Sequence, residues 1–117
     1  MVFAREGSRS LVVLGSAGSR RITSSIPQVL LRVLDGGADI EAAVDAPRIH
    51  TTLGGHPFAE REIVTPGLEA LLSDRFRPIS RKARRSYAMG AVQAIAATPD
   101  GWVGAADPRR EGTAGGF

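Results

Sequence analysis

Ser10-Leu11-Val12-Val13-Leu14-Gly15-Ser16-Ala17-Gly18-Ser19-Arg20-Arg21-Ile22 begins as a strand and ends at a helix, and the fold class follows from that switch. Leu11 to Leu14 is a short apolar, β-branched run, the pattern of a buried strand, and Gly15-Ser16-Ala17-Gly18 closes it with a tight turn. From Thr23 the period changes. Ile26, Val29, Leu30, Val33 and Leu34 recur at helical spacing, and Gly36-Gly37 stops the helix. Thr23 or Ser24 is the expected cap, and Pro27 lies in the first turn, where a missing N–H is tolerated. A strand that feeds a helix through a glycine turn brings backbone N–H groups to a helix N-terminus, a natural anion site. Such junctions also occur without any ligand.

Upstream, Arg5-Glu6-Gly7-Ser8-Arg9 reads as a hairpin turn, with Met1 to Ala4 as the partner strand. Downstream, a second short helix is expected over Asp39 to Val44, ending before Ala46-Pro47 because the residue before proline avoids the helical region. Arg48 to Leu53 reads as extended and Glu62-Ile63-Val64 as a weak strand. Leu68 to Asp74 reads as a short helix, and Arg75 to Ile79 as another strand. Ala91 to Ala96 and Trp102 to Ala106 form a hairpin around Thr98-Pro99-Asp100-Gly101. This order predicts an α+β fold with helices on an antiparallel sheet, in one segment spanning 1–117.

Composition narrows the chemistry. With 43% apolar and 23% charged residues, the chain has a globular balance and no low-complexity run. There is no cysteine, which excludes disulfides, thiolate metal sites and cysteine nucleophiles. No stretch approaches the about 18 consecutive apolar residues of a membrane span. Met1 to Glu6 lacks the apolar core of a signal peptide, but a piece cut from an exported precursor would lack it too, so the compartment stays open. Net charge is only +3, yet Arg75, Arg77, Arg81, Lys82, Arg84 and Arg85 cluster within eleven positions. Phe76 alone interleaves them, and no zinc-finger, RNP or KH signature accompanies them. That argues against nucleic acid, and for a solvated loop or a surface that meets another polypeptide. His50 and His56 have no metal-ligand cluster around them, and HExxH, GxSxG and Walker A patterns are absent.

Three ordered stretches carry a stronger signal. Leu14-Gly15-Ser16-Ala17-Gly18-Ser19-Arg20-Arg21-Ile22 resembles the LGSPGGSRI turn of γ-glutamyltranspeptidases. Asp45-Ala46-Pro47-Arg48-Ile49-His50 is similar to that family's DAPRxH segment. Gly90-Ala91-Val92-Gln93-Ala94-Ile95 and Gly104-Ala105-Ala106-Asp107-Pro108-Arg109-Arg110 resemble its GxVQAI strand and GASDPRR terminus. Order and spacing agree along essentially the whole chain.

The resemblance implies part of an N-terminal-nucleophile αββα sandwich, from the C-terminal part of the small subunit. In that family a self-cleaved precursor exposes a threonine whose own α-amine activates its hydroxyl. The γ-glutamyl group of a glutathione-like amide then passes to water or to an amino acid. Gly18 and Ser19 occupy the positions of the paired glycines whose N–H groups hold the oxyanion. Ala17, Ser19 and Arg20 stand where the family has proline, glycine and a small residue.

No catalytic residue is carried over. The family's TTHFSVVD-like strand is not found here, its SSMxPT segment would lie just before Met1, and its substrate-binding arginine belongs to the large subunit. Thr23, Thr51, Thr52 and Thr113 are all internal, without a free α-amine. The chain is therefore expected to be inactive alone and to meet a γ-glutamyl substrate only once completed. Association with the large subunit or with itself is the expected partnership, and no cofactor or metal is implied. Asp45, Arg48, Asp107 and Arg109 are expected to be structural, Asp45 pairing with Arg48 across a turn and Asp107 with Arg109 or Arg110. The alternative is a non-catalytic basic module that uses Arg75 to Arg85 as its contact surface.

Overall fold

The computed structural model describes residues 2–4, 11–73 and 78–116. Strand β1 (Val2–Ala4) pairs antiparallel with β2 (Leu11–Ala17), joining Val2 to Val13 and Ala4 to Leu11. The hairpin turn expected at Arg5 to Arg9 lies outside the described residues. A 3-10 turn (Ser19–Arg21) leads into helix α1 (Ile22–Leu34), followed by α2 (Ile40–Asp45). Then come β3 (Ile49–Thr51), β4 (Pro57–Glu60), α3 (Pro66–Ser73) and β5 (Ser80–Lys82). The hairpin β6 (Ala91–Thr98) and β7 (Gly101–Ala106) follows, and a 3-10 turn over Pro108–Arg110 ends the regular structure.

Two sheets result. The larger is antiparallel throughout, in the order β1-β2-β6-β7, with Leu14 opposite Ala94 and Ala94 opposite Ala105. Alternation along these strands sends Val12, Leu14, Val92, Ala94, Ala96 and Ala105 to one face, where α1 and α2 cover them with Val29, Ile40, Ala43 and Val44. The α+β class with helices on an antiparallel sheet is the observed one. The opposite face is open and apolar: Val13 is 37% exposed, Ile95 49% and Trp102 65%.

The smaller sheet, β3-β4-β5, is mixed, with β3 antiparallel and β5 parallel to β4. Here the expectation for Glu62-Ile63-Val64 is corrected. Those residues form a turn in which the Ile63 N–H donates to the Glu60 carbonyl, and the strand is Pro57–Glu60 just before it. Arg75 to Arg77 and Asp74 lie outside the described residues. The strand expected through Ile79 is found one step later, at Ser80–Lys82.

Helix ends follow local chemistry. Asp39 caps α2 by accepting from the Ala42 N–H at 2.7 Å. The expected Thr23 or Ser24 cap of α1 is not formed. The preceding 3-10 turn carries the chain directly into the helix, and both hydroxyls donate backwards, Thr23 to the Arg20 carbonyl and Ser24 to that of Arg21. Gln28, on α1, replaces a missing strand for β3: its amide donates to the Ile49 carbonyl at 2.8 Å and accepts from the Ile49 N–H at 3.0 Å.

Candidate functional site

The glycine turn sits where β2 hands over to α1. Gly18 has φ 138° and Ser19 has φ 55°, so two successive residues occupy positive φ before the helix begins. The Arg21 N–H closes the turn on the Gly18 carbonyl at 3.1 Å. A left-handed residue leading into right-handed ones turns successive N–H groups toward one concavity, which suits an anion. Gly18 meets that demand without strain, and its backbone lies against Gly90, itself at φ 74°. A Cβ at Gly18 would come within 2.9 Å of the Gly90 Cα. Ser19 adopts the left-handed region despite its Cβ, at a cost of roughly 1–2 kcal/mol. Behind the turn, the Ser16 and buried Ser25 hydroxyls meet at 3.0 Å and tie the end of β2 to α1.

A cavity of about 370 Å³ opens directly beside this turn, between the start of α1 and the smaller sheet. Arg20, Arg21, His50, Thr52, Leu53 and Phe58 are among the residues around it. His50 packs edge-on to Phe58 with ring centroids 5.0 Å apart, and its Nδ1 lies 2.7 Å from the Ser24 hydroxyl. The Arg21 guanidinium lies 5.8 Å from the Phe58 ring centre. Burial, and then the charge of Arg21, hold the His50 pKa below its ordinary value, so the imidazole is neutral at pH 7. Neither His50 nor Phe58 could be assigned to this site from local sequence, because the contact spans α1 and the smaller sheet.

Deeper in the molecule, two charged pairs share one buried cluster. Arg48 Nη1 lies 2.7 Å from Asp107 Oδ2, and both side chains are fully buried. Arg109 lies 3.2 Å from Asp107 and makes two further contacts to Glu60 through Nε and Nη2. Both arginines also donate to the C-terminal end of α2: Arg48 to the Val44 carbonyl, Arg109 to those of Val44 and Ala46. Cations there satisfy the last carbonyls and face the negative end of the helix. Burial works against the charge on Arg109, but its bonds to Glu60 and the fields of Asp107 and Glu60 outweigh it and raise the pKa.

The expected pairing of Asp45 with Arg48 is corrected. Asp45 points outward and takes a two-pronged contact from Arg85, at 2.6 and 2.9 Å, with Arg84 at 3.6 Å, while Arg48 turns inward to Asp107. The hydrogen bond from Arg85 lowers the Asp45 pKa. Asp107 pairs with Arg109, whereas Arg110 lies over the Tyr87 ring, 4.0 Å from its centre. Glu60 is the member sequence reading missed. Nothing local distinguishes it from a solvated glutamate.

The basic stretch is largely neutralised where it is described. Arg81 pairs with Glu69, Arg84 and Arg85 with Asp45, and Lys82 lies 5.6 Å from the Phe58 ring centre. Arg75 and Arg77 lie outside the described residues. The two histidines go to separate partners, His56 Nε2 lying 2.9 Å from the Ser80 hydroxyl. Among the described residues no three metal-ligating side chains come together, and no helix is long and apolar enough to cross a membrane.

Comparison with known proteins accords with this geometry. The sequence profile of gamma-glutamyltranspeptidases matches residues 1–117. The glutathione hydrolase proenzyme of Escherichia coli is 30% identical over 102 residues, covering 86% of this chain and 17% of that protein. The acylase ACY 1 proenzyme of Pseudomonas sp. strain V22 is 35% identical over 114 residues, 97% of this chain and 19% of that protein. The chain thus spans less than a fifth of the length of these two relatives. The solved gamma-glutamyltranspeptidase of Pseudomonas nitroreducens, complexed with L-DON, superposes over all of this chain and 60% of its own, with TM-score 0.79 and 28% identity. The CapD transpeptidase of Bacillus anthracis shares the fold with TM-score 0.83 at 22% identity, covering 100% of this chain and 68% of its own. The sequence profile covers every residue and the backbone follows that of its solved relatives: the chain belongs to the gamma-glutamyltranspeptidase family.

Proposed function

We propose that this chain supplies the oxyanion turn of a γ-glutamyl-transfer site, with the nucleophile coming from polypeptide other than these 117 residues. The observation that carries the reading is the turn itself: positive φ at both Gly18 and Ser19, between a strand and a helix, at the family's paired-glycine positions. In acyl transfer the attacked carbonyl oxygen gains charge, and fixed N–H donors stabilise it. Each such donor contributes about 2.7–4 kcal/mol, or roughly 10²–10³ in rate. A serine at the second position keeps its N–H, so the donor survives at the expense of backbone strain.

The same reading gives the open sheet face a role. Val13, Ile95 and Trp102 form the side of a sheet that an αββα sandwich packs against its second sheet. We infer that the remaining layers of the enzyme, or a second copy in their absence, cover this face. The rival reading as a basic binding module has less support, since Arg81, Arg84 and Arg85 are already engaged by Glu69 and Asp45.

Two measurements test this. Alone, the purified chain is expected to release no product from a γ-glutamyl anilide above the buffer rate. Turnover that survives repurification and disappears on mutating a residue of this chain refutes that. Second, residues 14–22 grafted into a complete family enzyme are expected to lower kcat with KM nearly unchanged. Strain of about 1–3 kcal/mol corresponds to ~5- to 150-fold. Ser19→Gly within the graft restores most of the loss. An inert graft that glycine does not rescue removes Ser19 as the second donor.

A further inference from the structure

The cavity beside the glycine turn differs in charge from the surface around it. Across the described residues, Arg48, Arg61, Arg81, Arg84, Arg85 and Arg109 each have a carboxylate partner. Arg20, Arg21, Arg32 and Arg110 do not have one among the described residues; Arg32 donates to the Pro47 carbonyl and Arg110 lies over Tyr87, while Arg20 and Arg21 line this cavity. The Arg21 Nε is one of four buried arginine nitrogens without a hydrogen-bond partner among the described residues, and the one that belongs to a residue lining this cavity. Among the described residues lining the cavity none is acidic, and the threonine hydroxyl of Thr52 adds a neutral donor. Phe58 and Leu53, which is 91% exposed, give the wall an apolar patch, and Thr23, Thr51 and His50 add polar surface to it. A cavity of about 370 Å³ lies at the small end of ligand pockets, enough for a modified amino acid or a dipeptide.

Position adds to chemistry. Arg20 follows Ser19 directly, and successive Cα atoms lie about 3.8 Å apart, so the cavity starts one residue from the oxyanion turn. In an acyl transfer centred there, the amine side of the scissile amide must extend to within a few ångströms of that turn. We propose that this cavity binds the carboxylate end of the amine that leaves or attacks, through Arg20 and Arg21, with its apolar side chain against Phe58 and Leu53. Arg20 is then the residue that selects carboxylate-bearing amines over their amides. This rests on the proposed acyl-transfer role of the turn, but the binding itself does not require turnover. After burial, the charge of Arg21 is the second cause of the lowered His50 pKa, a sign of positive potential at this wall.

The test is a pair of probes that differ only in charge. Hippurate and hippuramide share an aromatic group and a glycine unit; one carries a carboxylate and the other an amide. Titrated into the isotope-labelled 117-residue chain, hippurate is expected to shift the backbone signals of Arg20, Arg21, Thr52 and Leu53 and the Arg21 side-chain N–H. Hippuramide leaves them in place. Arg20 is exposed, so Arg20→Ala keeps the fold and weakens hippurate about tenfold, the scale of one lost charge-assisted bond, while Arg20→Lys keeps part of the affinity. Equal shifts from both probes, shifts confined to another face, or no shifts overturn the proposal. A kinetic measurement stands beside it: the enzyme carrying grafted residues 14–22 prefers a dipeptide acceptor over its C-terminal amide, and Arg20→Ser in the graft removes that preference. A graft that turns over without the preference overturns the cavity assignment and leaves the oxyanion reading intact. An inert graft together with a hippurate shift at these residues does the reverse.

Discussion

Glu60→Gln is a nearly isosteric change at the centre of the buried charge cluster, and its cost follows from the contacts. One carboxylate oxygen accepts from the Ser86 N–H at 2.7 Å and from Arg109 Nε at 2.8 Å. The other accepts from the Arg48 N–H at 3.0 Å and from Arg109 Nη2. Glutamine keeps one of these oxygens, but its amide nitrogen then faces two N–H donors. The cluster also changes from two cations and two anions to a buried excess of positive charge. Removing one partner of a buried pair costs about 3–5 kcal/mol, because the other charge is left uncompensated. At roughly 4 °C per kcal/mol for a chain of this size, the melting temperature should fall by about 12–20 °C. Urea unfolding followed by far-ultraviolet circular dichroism measures the loss directly, provided the m-value is unchanged. Glu69→Gln is the matched control, since its pairing with Arg81 is exposed and worth about 1 kcal/mol at most. A Glu60→Gln midpoint indistinguishable from that of Glu69→Gln would refute the assignment of the cluster as a stabilising unit.

Gly18→Ala should cost about 2 kcal/mol or more, from its φ of 138° and the 2.9 Å approach to Gly90, whereas Gly15→Ala, with open space around it, should stay within about 1 kcal/mol; equal costs would show that the turn is not the constraint. His50 has a depressed folded pKa, so the unfolded chain takes its proton first. Stability should therefore fall as pH drops from about 7 through the ordinary histidine value near 6.5 and level off below the folded pKa. His50→Gln should flatten that window, and an unchanged slope in the variant would contradict the assignment. The purified chain should self-associate through its open sheet face, and Ile95→Lys should shift sedimentation toward the monomer; a wild-type chain that is monomeric at the same concentration argues against an uncovered face.

The parts legible in the sequence are those whose signal is local. The strand from Leu11, the glycine turn, α1 and the β6–β7 hairpin each carry period, stop and turn chemistry within a dozen residues. Pro57–Glu60 was not legible. It opens on a proline, ends on a glutamate and is buried at all four positions, so alternation could not reveal it. Ile63 and Val64 drew the strand assignment because they are β-branched, although the backbone turns there. Side-chain partners were the least legible. Asp45 and Arg48 flank a proline turn and look like a local pair, yet their ion-pair partners lie 39 residues or more along the chain. The glycine turn was found by its resemblance to a family motif, while the cavity next to it required Phe58 and His50 to be brought against α1 in three dimensions.

The long reach of the buried cluster also sets the order in which the molecule can assemble. Its Arg109–Glu60 and Arg109–Val44 contacts close loops of 49 and 65 residues, whereas α1 and the β6–β7 hairpin form from near neighbours. Distant contacts form only after much chain entropy has been surrendered, and desolvating four charges before they meet is costlier still. The β2–β6 pairing spans 74 to 84 residues and carries a closure cost of its own, so it is the desolvation of the four charges that makes the cluster a late event, after the core around it has gathered. Interactions absent from the transition state act on escape rather than entry. The four charges govern how long the native chain persists, and leave the speed of reaching it to the sheet and helices.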